Sequence, residues 1–113
     1  MVQWDTLWLN GHICVVVSDP QRDPGGVFVA ALTTYEWYKD DACLLNKGDH
    51  RALRHLTCVA YDFFDDLFPA GYLNSLEIDQ PVPHLARRIL DGARATRRIS
   101  NEAWCLLNRQ GLV

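Results

Sequence analysis

Short apolar runs open this chain, and a helical rhythm closes it. Thr6–Leu9 and His12–Ser18 are rich in Val, Ile, Leu and Trp, with Asn10-Gly11 between them. Both turn residues tolerate the positive φ of a type I′ turn, so the pattern predicts a hairpin. Ser18–Gly26 sets two prolines and two glycines among charged residues and predicts a surface loop. Val27–Thr34, apolar and ending in threonines, predicts a buried strand. Tyr35–Asp41 mixes aromatic and charged residues, as a turn or strand edge does. Ala42–Leu45 predicts another short strand. Asn46–His50 reads as a loop in which Asp49 can cap one helical turn.

Residues 49–68 fit two periods. Leu53, Leu56, Ala60, Phe63, Phe64 and Leu67 form a helical face, while Leu56–Tyr61 also fits a strand. Pro81 and Pro83 then mark a boundary. Leu85, Ile89 and Leu90 share one face of a helix expected over 84–98, and Arg87, Arg88, Arg94, Arg97 and Arg98 crowd the rest. Ser100 or Asn101 caps a final helix through Leu107, stopped by Gly111. Strands first and helices last predict one α+β domain: a small barrel or curled sheet over 1–68, a connector over 69–80 and a helical extension over 81–113.

Composition narrows the class. The 113 residues leave room for one domain, and a hydrophobic share of 49% excludes disorder along the whole length. The longest apolar runs, Ile13–Val17 and Val27–Leu32, fall far short of the ~20 residues of a membrane span. The first residues carry neither a basic region nor a long apolar stretch, so no secretory signal is expected. Cys14, Cys43, Cys58 and Cys105 are widely separated, which predicts reduced thiols and a cytoplasmic protein. The net charge of −3 divides unevenly. Residues 1–66 hold ten acids against five bases, and residues 67–113 hold six arginines against four acids. That split argues against a uniformly basic nucleic-acid binder and turns attention to local clusters.

The succession of His12–Ser18, a loop, Val27–Thr34, Asp41–Leu45 and Gly48-Asp49-His50, followed by His55 and Val59-Ala60-Tyr61, resembles the small SH3-like barrels of the PemK/MazF type. Within that type it resembles an uncharacterised bacterial group marked by a Gly-Asp-His loop and a following strand that ends in Tyr. The likeness covers roughly residues 6–68. It implies that 56–61 is a strand pairing back into the barrel. It also implies a toxin of a toxin–antitoxin or phage-defence system, a homodimer that cuts single-stranded RNA without a metal and leaves a cyclic phosphate. The family's strand-end Thr or Ser falls here on Thr33 or Thr34. Its loop arginine has no counterpart, because the first hairpin is shortened to Asn10-Gly11 and His12 stands where an Arg-Pro would begin.

Metal-free cleavage of RNA needs a base for the 2′-hydroxyl, an acid for the leaving oxygen and a cation for the phosphorane. His12, His50 and His55 are candidates for the first two roles. Arg51 or Arg54 suits the third, since guanidinium grips phosphate oxygens in a fork. Lys47 can steer the phosphate and Thr34 can hydrogen-bond it. A plainer role is open to His50, which follows Asp49 in a polar loop where either side chain can satisfy backbone groups. Asp49, His50, His55 and Cys58 lie close in sequence, but the five-residue step between the histidines does not place them on one helical face. No metal and no cofactor are therefore expected.

A second class of function remains open: a non-catalytic interaction module on the same scaffold. Arg87, Arg88 and Arg94 would then bind an acidic partner, such as an antitoxin tail, together with an aromatic edge at Trp37. Alternatively these arginines pair with Asp62, Asp65 and Asp66 of the same molecule. Trp4, Trp8, Tyr35, Trp37 and Tyr38 divide between core packing and surfaces that stack on bases.

Overall fold

The computed structural model describes residues 1–113. Thr6–Leu9 (β1) and His12–Val16 (β2) form the first hairpin, paired antiparallel from Thr6–Val15 to Leu9–His12. Asn10 and Gly11 take φ of 52° and 78°, as the type I′ turn requires. Val29–Thr34 (β3) pairs with β2, and Leu44–Leu45 (β4) and Thr57–Ala60 (β5) follow. The helix–strand ambiguity over 49–68 thus resolves as a strand, because Thr57–Ala60 fills the place between β3 and β4. Ala70–Leu73 (α1) and Ile78–Asp79 (β6) lie in the stretch read as a connector, and β6 pairs with β1. A 3-10 turn at Pro83–Leu85 leads into Ala86–Ala95 (α2), and Asn101–Arg109 (α3) ends the chain.

The result is an α+β fold with one antiparallel sheet in the order β4-β5-β3-β2-β1-β6. It has six strands rather than about five, and β4 and β6 stand at its two ends without pairing to each other. No helix is long and apolar enough to cross a membrane.

Strand alternation sends successive residues to opposite faces. Ile13, Val15, Ala30, Leu32, Leu45, Val59 and Tyr61 face the helices, where Leu85, Ile89, Ala93, Ala103, Leu106 and Leu107 meet them in one core. The helical segment therefore supplies seven of the eighteen buried residues of the main core and is not an appendage. Leu7, Leu9, Cys14, Val16, Val29 and Ala31 face the other way and are covered by Leu73 and by Phe64, Phe68 and Leu76. Helix α2 ends at Ala95, so Arg97 and Arg98 lie beyond it in the turn before α3. Ser100 is the N-cap of α3 and accepts a hydrogen bond from the Ala103 N–H.

One small residue lets α2 approach. A Cβ on Gly92 would collide with the Tyr61 hydroxyl and come within 2.7 Å of Cys43 Cβ. The Tyr61 hydroxyl itself donates to the Ile89 carbonyl at 2.6 Å, tying β5 to α2 in a buried site. Gly92→Ala should therefore destabilise the fold by about 1–3 kcal/mol through overpacking, despite the better helix propensity of Ala. Urea unfolding measures this, and a variant as stable as the parent would show that the helix shifts without cost.

Candidate functional site

Residues 46–52 run from the end of β4 across to β1 and β6. Their anchor is His50, which is fully buried. The Thr6 hydroxyl donates to the Gln80 carbonyl at 2.6 Å, so it accepts from His50 Nε2 at 2.9 Å. His50 Nδ1 then accepts from the Ala52 N–H at 3.0 Å. This pairing is that of a neutral imidazole with its proton on Nε2. Burial lowers the His50 pKa below its ordinary 6.5, outweighing the opposing pull of Asp79, whose carboxylate lies 3.6 Å from Nε2.

Asp79 is also pinned. Partial burial pushes its carboxyl pKa up. Three donors outweigh that and hold it well below the usual carboxylate range: Arg51 Nε at 2.6 Å, Trp8 Nε1 at 3.0 Å and the Gln80 N–H at 2.6 Å. The Arg51 N–H donates to the Gln80 side-chain carbonyl.

These contacts correct two expectations. His50, with both nitrogens engaged and no exposed surface, is not placed to move a substrate proton. Arg51 is committed to Asp79 rather than free for a phosphate. Thr6, Asp79 and Gln80 had no local signal in the sequence. They matter only because β6 returns to pair with β1.

The other loop histidine stands differently. Thr34, Arg54 and His55 line a single cavity of about 180 Å³, floored by Ile13, Leu32 and Leu53. Thr34 and Thr57 are directly paired across β3 and β5, and the Tyr35 N–H donates to the Leu56 carbonyl. This ladder brings the residues just before β5 beside the end of β3. His55 and Arg54 are exposed, and neither side chain is held by a hydrogen bond or ion pair within the protein. Alternation sends the two threonines to opposite faces. Thr34 shares the face of Leu32 and enters this cavity, whereas Thr33 hydrogen-bonds Cys58 Sγ at 3.2 Å on the other face.

The remaining candidates are dispersed. His12 packs edge-on against Phe63, with ring centroids 4.6 Å apart, and does not line the Thr34 cavity. Lys47 is exposed in the loop beside His50 and is unpaired. Arg88 bonds Asp49 at 3.3 Å and the Leu44 carbonyl at 2.8 Å, while Arg94 bonds Asp91 at 2.8 Å and the Leu112 carbonyl. Two of the three helix arginines are thus used to fasten the fold. Their acids are Asp49 and Asp91, not Asp62, Asp65 or Asp66. Arg87 alone of the three is exposed without an internal partner. Asp49, His50, His55 and Cys58 do not converge as a set of metal ligands. Burial pushes the thiols up, Cys14 to about 12 and Cys43 above its ordinary value, so neither is a ready nucleophile.

No family model matches the chain, and neither a curated protein nor a solved structure does.

The buried neutral imidazole has a thermodynamic consequence. With a lowered native pKa, His50 binds fewer protons in the folded state than in the unfolded state. Its contribution to stability is complete above the unfolded value of about 6.5 and is lost as pH falls below it toward the native pKa. The urea midpoint should decline from about pH 6.5 downward, well before carboxylates titrate, and His50→Asn should flatten that limb. A midpoint level from pH 7 to about pH 5 would contradict a neutral, buried His50.

Proposed function

We propose that this chain is a metal-independent endoribonuclease of the toxin type, acting on single-stranded RNA. We further propose that its curled sheet is an SH3-like barrel left open between β4 and β6. The observation that carries the reading is the convergence of Thr34, Arg54 and His55 on one open cavity. An imidazole, a guanidinium and a hydroxyl are the groups that transesterification of a phosphodiester requires.

In this reading His55 takes the proton from the 2′-hydroxyl as its oxygen attacks phosphorus. Arg54 binds the equatorial phosphoryl oxygens as charge gathers on them, and the Thr34 hydroxyl donates to one of them. The bond from phosphorus to the 5′-oxygen breaks, and the imidazolium returns its proton to that oxygen. The products are a 2′,3′-cyclic phosphate and a 5′-hydroxyl, with no net proton consumed. His50 supports the site from beneath by fixing the loop that carries Arg54 and His55.

The purified protein should cleave single-stranded RNA in the presence of a chelator and leave cyclic phosphate ends. His55→Ala should lower the rate by about 10²–10⁴-fold, with the unfolding midpoint unchanged because the side chain is exposed. Arg54→Ala should produce a comparable loss, and Thr34→Val a smaller one. A well-folded wild-type protein that leaves RNA intact would sink the proposal.

A further inference from the structure

The turn that follows the Thr34 cavity carries the most exposed large hydrophobic side chain of the molecule. Trp37 is 88% exposed, and Tyr38 beside it is 54% exposed. Their rings meet edge to face with centroids 5.8 Å apart, so one face of the indole is left open. A bare indole forgoes the burial that aromatic side chains normally gain, which marks it as a contact surface.

The turn is nonetheless held in place. Lys39 Nζ donates to the Thr34 carbonyl at 2.7 Å, and Arg98 donates to the Tyr38 carbonyl at 3.2 Å. Thr96 donates to the Asp40 carboxylate and accepts from the Arg98 N–H, fastening the turn to the segment after α2. Neither Lys39 nor Arg98 has a carboxylate within ion-pair distance. Both line a depression of about 160 Å³ with Thr33 and Phe63, and both line an adjoining one of about 330 Å³ with Arg97. Asp40, Asp41 and Asp62 share these depressions. That mixture of signs suits a polyanionic peptide poorly. An exposed flat ring in the same turn as Lys39, with Arg98 bonded to the Tyr38 carbonyl, suits a nucleobase and its phosphate, because stacking needs no uniformly positive groove.

We infer that Trp37 is a stacking platform for a nucleobase flanking the scissile phosphodiester, with Lys39 and Arg98 at the adjacent phosphate. The inference rests on the ribonuclease reading of the Thr34 cavity; the depression that holds Lys39 and Arg98 lies with Thr33 on the other face of β3, and the Lys39–Thr34 bond joins the two faces at the end of that strand.

The test separates binding from cleavage. A fluorescein-labelled single strand, deoxy at every 2′ position and so uncleavable, is titrated against wild type, Trp37→Ala and Trp37→Phe and followed by anisotropy. The all-ribose strand is used for kinetics. Trp37→Ala should weaken binding about tenfold, Trp37→Phe should recover most of it, and in cleavage KM should rise while kcat holds. Wild-type cleavage with KM and binding unchanged in Trp37→Ala would overturn the platform and leave the ribonuclease reading standing. Trp37-dependent binding without cleavage would support the platform and remove the catalytic reading. Absence of both overturns both. An aspartate-rich peptide that binds in a Trp37-dependent manner and displaces the strand would overturn the nucleic-acid assignment in favour of an acidic protein.

Discussion

Much of the molecule depends on one buried hydrogen-bond relay, from His50 Nε2 to the Thr6 hydroxyl and on to the Gln80 carbonyl. The end strands of the sheet do not meet. A seam left open would expose the polar backbone of β4 and β6 and the flank of the main core. The loop after β4 closes it with side chains, and a neutral imidazole suits this position because it can donate from one nitrogen and accept at the other. Protonated, it would lose its acceptor toward the Ala52 N–H, and the Asp79 carboxylate alone would have to compensate. No buried side-chain nitrogen or oxygen in the protein lacks a partner, so little slack remains for rearranging this seam.

Placing the loop also places its exposed side chains. Leu53 is buried in the main core, whereas Arg54 and His55 next to it are exposed. The chain thus dives and surfaces within three residues. Its exposed pair emerges beside Thr34 because β5 must pair with β3 immediately afterwards. The division of labour between the two loop histidines follows from this geometry. One is consumed in tying the loop to β1, and the other is left with both ring nitrogens free at the edge of a cavity.

Much of the fold was legible in the sequence. Asn10-Gly11 announces the first hairpin, the β-branched runs announce β2 and β3, and Ser100 announces α3. Strand β6 was not legible: Ile78–Asp79 is two residues long, and its pairing to β1 is decided seventy residues away in sequence. The end of α2 was hidden for a related reason, since Thr96 leaves the helix to bond Asp40 while the arginine pattern continues past it. Histidine and arginine content pointed to this loop but did not separate its buried side chain from its exposed ones. His50 and His55 look alike as letters, and only Thr6 and Gln80, distant in sequence, distinguish them. The second pair of cations, Lys39 and Arg98, also comes from distant segments and was legible only as unconnected charges.

The brevity of β4 and β6 has a further consequence. Each offers two residues of ladder, and each is flanked by charged groups, Arg88 at Leu44 and Arg51 at Asp79. A free edge this short and this charged is a poor template for another chain's strand. The short, charged ends of the sheet therefore discourage its growth between molecules, and keep this apolar β-structure from propagating as an aggregate.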